Sequence, residues 1–339
     1  MKERIIYFDL LRGLAIIGVV AIHSTAIGYT FEDTSIDFNI TVFWRQMINF
    51  AVPMFIAISG FFLANKEIST YNEYFSFLKK QILRVLIPYL IWSLLYLGID
   101  FMKGASIQSL IFRLFTFKTS EPFYFIILII EYYILLPALQ KLATPKGLIL
   151  SAFISILSCI IIFYFRYYTA INLPLVIVGS APTWLIFFVL GIYIRNHKIK
   201  LKNNVIMLFI ILGLGLSLVE TYILYHKFGS IVDSVTAVKI SSFIYSSFII
   251  LFAFKNSDLK FNKNKLLAYI GEISFGIYLS HIFFMMVINL LINRLMPFFN
   301  QSAILRQFIL ILLTMFFCIV FATVVRKLDK KKAIKFLGQ

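Results

Sequence analysis

Ionisable side chains inside the first apolar segment are the residues of this chain best suited to chemistry. The segment Arg4 to Ser24 carries Asp9, Arg12 and His23 among apolar residues. On a helix Arg12 and His23 project from nearly the same face, roughly 16 Å apart along the axis, and Asp9 joins that stripe. Ionisable groups in a membrane helix usually mark function or a paired structural role. The spacing predicts a polar track with a cation at one end and an imidazole, a base or nucleophile, at the other.

The composition is that of a membrane protein with several spans. Of the 339 residues, 61% are hydrophobic and 14% are charged, and the mean hydropathy is +0.92, a balance untypical of a water-soluble domain. Apolar runs of roughly 20 residues, the length that crosses a bilayer, occur at roughly 5–29, 42–64, 82–100, 123–141, 148–166, 182–195, 205–225, 237–254, 266–293 and 304–325. We therefore predict an all-α polytopic transmembrane bundle of about ten spans.

The ends of the chain fit one integral membrane domain. The first run contains charges and lacks a small-residue cleavage site, so we interpret it as a retained span rather than a signal peptide. No linker or low-complexity tract interrupts residues 1–339. We expect a single domain over 1–339, with 326–339 as a basic cytoplasmic tail and no appended soluble domain.

The net charge of +17 reports topology rather than a nucleic-acid partner. With the N-terminus in the cytoplasm, 22 of the 32 Lys and Arg residues fall in cytoplasmic segments and nine fall outside. This is the positive-inside pattern, and it predicts that both termini are cytoplasmic. The two cysteines, Cys159 and Cys318, lie in separate apolar runs and predict neither a disulfide framework nor a metal site.

Polar residues at the end of the second span and the start of the third are candidates for a cytoplasmic anion site. Lys80 and Arg84 lie one helical turn apart, and beside Arg12 they would suit phosphate oxygens. The alternative is a snorkelling cluster that only sets topology. Ser59, next to Gly60, serves either close helix packing or ligand binding.

Two later spans carry ionisable residues as well. Glu131 lies near the middle of the fourth span, and a buried carboxylate there needs a partner or a proton. It would orient an imidazole, accept a proton or pair with an arginine. In the ninth span Ser274, Tyr278 and His281 share one helical face. Two interpretations are open for His281. It is a hydrogen-bonded structural histidine, or it belongs to a polar interior together with the first span.

Ordered motifs across almost the whole chain resemble the acyltransferase-3 family of integral membrane acyltransferases. The motifs are FDLLRGLAIIGVVAIH at 8–23, VPMFIAISGFF at 52–62, LRVLIPY at 83–89, FYFIILIIEYYILLPAL at 123–139, TWLIFFVLG at 183–191 and IGEISFGIYLSH at 270–281. Two positions depart from the family pattern. The paired arginines before the third span read Gln81-Ile-Leu-Arg84, and Phe123 to Phe125 stand near the place of a tryptophan.

The resemblance implies a ten-helix bundle that moves an acyl group, usually acetyl, from cytoplasmic acyl-CoA to a glycan or lipid-linked sugar outside a bacterial cytoplasmic membrane. Arg12 and His23 would be its catalytic pair. Glu131 would orient the imidazole, and Asp9 would balance the charge of the arginine. Arg12, Arg84, Lys80 and Ser59 would line the acetyl-CoA site, and Tyr278 and His281 would support it. No metal and no nucleic acid are expected.

A second class of function stays open at this point. Charges within spans and broken helices also build the substrate paths of transporters, so a polysaccharide exporter or small-molecule carrier without acyl chemistry is the alternative. Within the acyltransferase class, the acyl group would be acetyl, succinyl or another short chain. The sequence fixes neither the acceptor glycan nor the oligomeric state, nor whether His23 is a general base or an acyl carrier.

Overall fold

In the computed structural model, the described residues are 2–169, Ile171, 173–257 and 264–339, and the side chains of 2–5, 175 and 176 lie outside that description. Lys260 and Lys263, counted among the predicted cytoplasmic residues, also lie outside it. Fifteen α-helices make up the described chain: α1 Lys2–Ser24, α2 Ile36–Met47, α3 Ala51–Leu63, α4 Tyr71–Met102, α5 Ile107–Phe115, α6 Tyr124–Lys141, α7 Pro145–Tyr168, α8 Leu175–Val178, α9 Ala181–Asn196, α10 Asn203–Phe228, α11 Ile231–Ser234, α12 Ile240–Lys255, α13 Lys265–Glu272, α14 Ser274–Leu295 and α15 Ala303–Lys332. The prediction of an all-α bundle is confirmed.

The spans agree with the apolar runs of the sequence. Eight helical segments of the described chain are long and apolar enough to cross a membrane: Ile6–Thr30, Ile36–Leu63, Tyr71–Met102, Glu121–Lys141, Pro145–Tyr168, Asn203–Phe228, Ser274–Leu295 and Ala303–Leu337. The shorter apolar helices α9 and α12 correspond to the two remaining predicted spans. The bundle is therefore polytopic.

Local sequence signals account for several helix boundaries. At the start of α4, the Thr70 hydroxyl accepts the Glu73 N–H while the Glu73 carboxylate accepts the Thr70 N–H, which is a capping box. The Thr144 hydroxyl caps α7, whose first residue is Pro145. Gly229, at φ 76°, ends α10 in the left-handed conformation that glycine adopts without strain.

Helix α1 lies at the centre of the bundle. It contacts α3, α13, α14 and α15, and Phe8, Ile16 and Val20 along it are fully buried. The α1 and α3 helices run antiparallel, because the rings of Phe8 and Phe61 lie 4.5 Å apart while Gly18 faces Ala51. This pairing sets which residues of α2 and α3 lie level with each end of α1.

Two glycine positions allow the helix backbones around α1 and α3 to touch. A Cβ atom at Gly271 of α13 would lie 1.7 Å from the carbonyl oxygen of Asp9, and one at Gly60 of α3 would lie 2.2 Å from that of Phe188 in α9. Small residues permit such contacts between membrane helices. The interpretation that the segment around Ser59 and Gly60 serves close helix packing therefore has a direct structural basis.

The apolar run at 266–293 is divided between two helices. The chain leaves helical geometry at Ile273, with φ −94° and ψ 8°, between α13 and α14, and of these two helices α14 is long and apolar enough to cross a membrane. The break lets α13 press its backbone against α1 at Gly271 while α14 follows its own direction. Ser274, Tyr278 and His281 all fall in α14.

The segment expected to be a basic tail folds back onto the bundle. Helix α15 kinks at Asp329 and continues through a π-helical turn, Ala333–Leu337. The Trp92 indole N–H donates to the Leu337 carbonyl over 3.3 Å, and Gln339 is buried against Gly276. Residues 326–339 therefore contribute to the packing between α4 and α14.

Replacing Gly271 by alanine should destabilise the protein, because the added methyl group would overlap the Asp9 backbone. Overpacking of this kind costs about 1–3 kcal/mol, and we expect a lower melting temperature in detergent. The matched control is Gly215→Ala in α10, where a Cβ atom meets nothing within 4 Å. Equal melting temperatures for the two variants would contradict the contact between α1 and α13.

Candidate active site

A single unbroken helix carries the two ends of the site. Asp9, Arg12 and His23 all lie on α1, Lys2–Ser24, so the predicted axial separation of roughly 16 Å between Arg12 and His23 holds. The surface between them is not polar. Ile16 and Val19 are buried there in an apolar cluster, which corrects the expectation of a continuous polar track.

The end of α1 at Arg12, the arginine end, gathers positive charge. Arg12 Nη1 lies 2.7 Å from Asp9 Oδ1, and its guanidinium stacks over the Phe62 ring at 5.0 Å. The Arg84 side chain is exposed and close enough to interact electrostatically with Arg12. Asp9 balances one charge, so an anion bridging the two guanidinium groups would meet an excess of positive charge.

The other residues predicted for this end have different surroundings. Lys80 is exposed and forms no ion pair with the described residues, so it is available to a ligand. The Ser59 hydroxyl donates to the Phe55 carbonyl over 2.9 Å. Arg195, which sequence reasoning treated only as a topology signal, lies over the Phe61 ring at 5.1 Å and adds a further guanidinium next to Phe62.

An acidic residue ties the C-terminal helix to the arginine end. Glu272, at the end of α13, lies 2.7 Å from Arg326 Nη1 and 3.6 Å from Lys330 Nζ. Partial burial raises the pKa of Glu272, but the hydrogen bonds and charges of these two cations outweigh it and lower the pKa overall. Glu272 also interacts electrostatically with Asp9. This charge is therefore compensated within the protein.

The opposite end of α1, the histidine end, holds two imidazoles. The rings of His23 and His281 lie 5.2 Å apart. His281 is fully buried, and its Nδ1 lies 2.8 Å from the Tyr278 carbonyl and 3.1 Å from that of Ile277. Because both partners are acceptors, Nδ1 carries the proton. The buried Nε2 then is an unprotonated acceptor, and it has no partner among the described residues.

A carboxylate that sequence reasoning missed lies beside His23. Glu121 Oε2 is 4.0 Å from His23 Nδ1, which is too long for a hydrogen bond and becomes a charge contact when His23 is protonated. The Tyr278 hydroxyl donates to the carbonyl of the next residue, Pro122, and so holds the turn that carries Glu121. Tyr278 thus fixes the segment next to Glu121. In the sequence Glu121 precedes an apolar run, so it resembles the acidic residues that commonly flank membrane spans.

A second missed residue at the histidine end is Arg45 of α2. It is half-buried, bonds Asn49 Oδ1 through Nη1, and interacts electrostatically with His23 and Glu121. A sequence signal for it exists, since Arg45 and Asn49 are one turn apart in an apolar segment. The pair lies just before the motif at 52–62 and belongs to none of the motifs that carry the family resemblance.

Glu131 lies elsewhere. Its Oε2 accepts a hydrogen bond from the Ala181 N–H over 2.7 Å, and Ala181 is the first residue of α9. A carboxylate at that place satisfies a free backbone N–H and favours the positive end of the helix dipole. The structure brings Glu131 to neither histidine, and its predicted catalytic partner, His23, has Glu121 beside it instead.

Among the described residues, no group of three or more His, Cys, Asp or Glu side chains has metal-binding geometry. Cys159 and Cys318 are both buried free thiols within this part of the chain.

Residues 5–323 match the acyltransferase domain model of the acyltransferase-3 family. The match covers nearly the whole chain, so the protein belongs to this family and is a membrane acyltransferase. Searches among characterised proteins and among solved structures gave no match. The family assignment agrees with the ordered motifs and with the helical bundle that carries them.

Replacing Glu131 should affect stability rather than chemistry. Glu131→Ala leaves the Ala181 N–H without its partner and should lower the free energy of unfolding by about 1 kcal/mol, as for a lost helix cap. Glu131→Gln keeps an acceptor oxygen and should melt close to the parent protein. Thermal unfolding of both variants in detergent checks this, and a Glu131→Gln protein that is folded but devoid of acyl transfer would contradict it.

Proposed function

We propose that this protein is an acyl-CoA-dependent O-acyltransferase that moves an acetyl group to a hydroxyl of a cell-surface polysaccharide or lipid-linked sugar. The observation that carries the proposal is the placement of a cation-rich end and a histidine end on the same unbroken helix. The first suits a phosphorylated donor, and the second suits proton transfer at a hydroxyl. Acetyl is the expected acyl group, and succinyl or another short chain would use the same site.

The arginine end is proposed to bind the phosphates of acetyl-CoA. Arg12 and Arg84 present guanidinium groups that match phosphate oxygens. Lys80 adds an exposed ammonium group next to Gln81, which stands in the place of one of the family's paired arginines. Ser59 lies on α3, but its hydroxyl already donates within that helix, so it is the weakest of the proposed donor contacts. Glu272 does not compete for Arg12, because Arg326 and Lys330 hold it.

The acyl group is proposed to reach His23 alongside α1, on the extended pantetheine arm of the donor. Ile16 and Val19, between the two ends, are themselves buried in an apolar cluster, so the arm passes beside these side chains rather than over them. At the histidine end, His23 takes the proton of the acceptor hydroxyl while the oxygen attacks the thioester carbonyl. Glu121 stabilises the imidazolium that forms, as the carboxylate does in a catalytic triad.

His281 is proposed to position His23. Its protonated Nδ1 is held by two backbone carbonyls, which fixes its ring 5.2 Å from that of His23. A rigid neutral neighbour limits the orientations open to the catalytic imidazole. An acyl-histidine intermediate on His23 is the other chemical route, and it would be trapped as an acetylated peptide when acetyl-CoA is mixed with the protein before acceptor is added.

The charge distribution supports an orientation for this reaction. If the basic segments lie in the cytoplasm, the arginine end faces the cytoplasmic acyl-CoA pool and the histidine end faces the outer surface. We therefore propose a multi-pass protein of a bacterial cytoplasmic membrane with both termini inside. Membrane lipid surrounds the bundle, and the acceptor glycan approaches the histidine end.

The test is acetyl-CoA turnover by the purified protein in liposomes, followed as free CoA thiol. His23→Ala should reduce turnover at least 10²-fold, the scale of a lost general base, while acetyl-CoA still binds. His226→Ala is the matched control, because His226 is an exposed histidine on α10 outside the proposed site.

Two outcomes of this test would contradict the proposal. If His23→Ala and the parent protein release CoA equally fast, His23 does not carry the reaction. If the parent protein neither binds nor consumes acetyl-CoA or succinyl-CoA with acceptor-bearing membranes present, acyl transfer fails as its function, and substrate transport takes its place.

A further inference from the structure

Arg45 lies at the histidine end but has no role in the reaction proposed above. Helices α1 and α3 run antiparallel, with Phe8 against Phe61 and Gly18 against Ala51. When this pairing is continued forward from Gly18 and backward from Ala51, Arg45 lies level with His23. The electrostatic interaction between the two side chains agrees with this placement. A cation thus lies beside the imidazole that is proposed to take the acceptor proton.

A buried network of hydrogen bonds fixes the Asn49 side chain, which in turn holds Arg45. The Asn49 amide nitrogen donates to Gln46 Oε1 over 2.9 Å, to the Val235 carbonyl over 3.3 Å and to Ser242 Oγ over 3.3 Å. Since these partners take the amide nitrogen, the Asn49 oxygen is left for Arg45 Nη1. Gln46 is itself held by the Ser217 hydroxyl over 2.8 Å. Arg45 is therefore anchored to α10 and α12 from one side.

The rest of the Arg45 guanidinium is free to bind a ligand. Of its five N–H donors, one has a partner, Asn49, among the described residues. Arg45 forms no ion pair within that part of the chain. The Arg45 side chain is half-buried, so it is partly accessible. The groups around it are Tyr29, Tyr124 and Glu121.

We propose that Arg45 stabilises the negative charge that forms on the acyl carbonyl oxygen when the acceptor attacks at His23. The inference rests on the proposed acyltransferase function. As the bond from the acceptor oxygen to the carbonyl carbon forms, the hydroxyl proton passes to His23 and the carbonyl electron pair moves onto oxygen, beside Arg45. The tetrahedral intermediate then collapses, the carbon–sulfur bond breaks, and the CoA thiolate leaves with the proton from His23.

This role explains why a cation is placed beside a base. A fixed, partly desolvated guanidinium stabilises charge that develops only in the transition state, and such groups typically contribute about 10²–10³ in kcat. Glu121 remains near enough to balance the site while the reaction is at rest. The alternative reading is that Arg45 binds an anionic group of the acceptor, which would affect acceptor binding instead of the chemical step.

The experiment compares Arg45→Gln with the parent protein, using acetyl-CoA and a neutral acceptor, methyl α-D-glucoside. Glutamine can still donate to Asn49, so the anchoring network is retained. We expect kcat to fall about 10²-fold or more, with the KM for acetyl-CoA within about twofold of the parent and partial recovery in Arg45→Lys. Arg294→Gln, an exposed arginine near the end of α14, should leave turnover unchanged.

The outcomes separate this inference from the function on which it rests. If His23→Ala is inactive but Arg45→Gln keeps the parent kcat with the neutral glucoside, the oxyanion role is wrong and the acyltransferase function stands. A rise limited to the KM for an anionic acceptor would assign Arg45 to acceptor binding and also overturn it. If the parent protein shows no acetyl-CoA turnover even with acceptor-bearing membranes present, both fail. Should Arg45→Gln not fold, Arg45→Met, a neutral side chain that leaves the hydrogen bonds of the Asn49 amide nitrogen in place, must lower kcat in its stead.

Discussion

The cost of holding charged side chains inside an apolar bundle shapes this protein. Asp9, Arg12 and His23 lie on one central helix, and each needs a partner there because lipid offers none. Arg12 has Asp9, and the histidine end has Glu121 and Arg45. The tight backbone contact at Gly271 presses a further helix onto α1 beside Asp9. The surrounding helices are arranged so that these few charges are satisfied.

The two ends solve this problem in different ways. At the arginine end Lys80 and Arg84 remain exposed, so positive charge is left for an anion to neutralise. At the histidine end His281 is buried and held by backbone carbonyls, and Arg45 is held by the Asn49 network, while Glu121 stays exposed. A loosely held cationic mouth suits the binding and release of a phosphorylated donor. Side chains fixed by such hydrogen bonds suit a reaction that depends on geometry.

The sequence predicts the architecture well, since hydrophobic run length is a strong signal for membrane helices. The pairing of Asp9 with Arg12 also follows from helical spacing. The break at Ile273 does not, because α13 and α14 separate to satisfy a backbone contact between distant segments. The folding back of residues 326–339 onto Trp92 has the same kind of cause. Contacts of this sort are invisible in local periodicity.

Within the candidate site, helical spacing predicts how Asp9, Arg12 and His23 are placed along α1, but not which residues of other segments lie near them. Glu131 is an unusual carboxylate in an apolar run, but only the fold shows that the start of α9 lies against it. Glu121 and Arg45 read as ordinary residues near span ends, and tertiary packing brings them to His23. The functional cluster is thus assembled from four separate segments, and one of them, α1, carries the recognisable motif.

The most direct measurement is an electron cryomicroscopy structure of the protein with acetonyl-CoA, an analogue of acetyl-CoA whose acyl group cannot be transferred. If one helix links donor binding to chemistry, the CoA phosphates will lie within hydrogen-bonding distance of Arg12 and Arg84, and the ketone will lie beside His23. A nucleotide bound at the histidine end, or an acyl end remote from His23, would contradict that link.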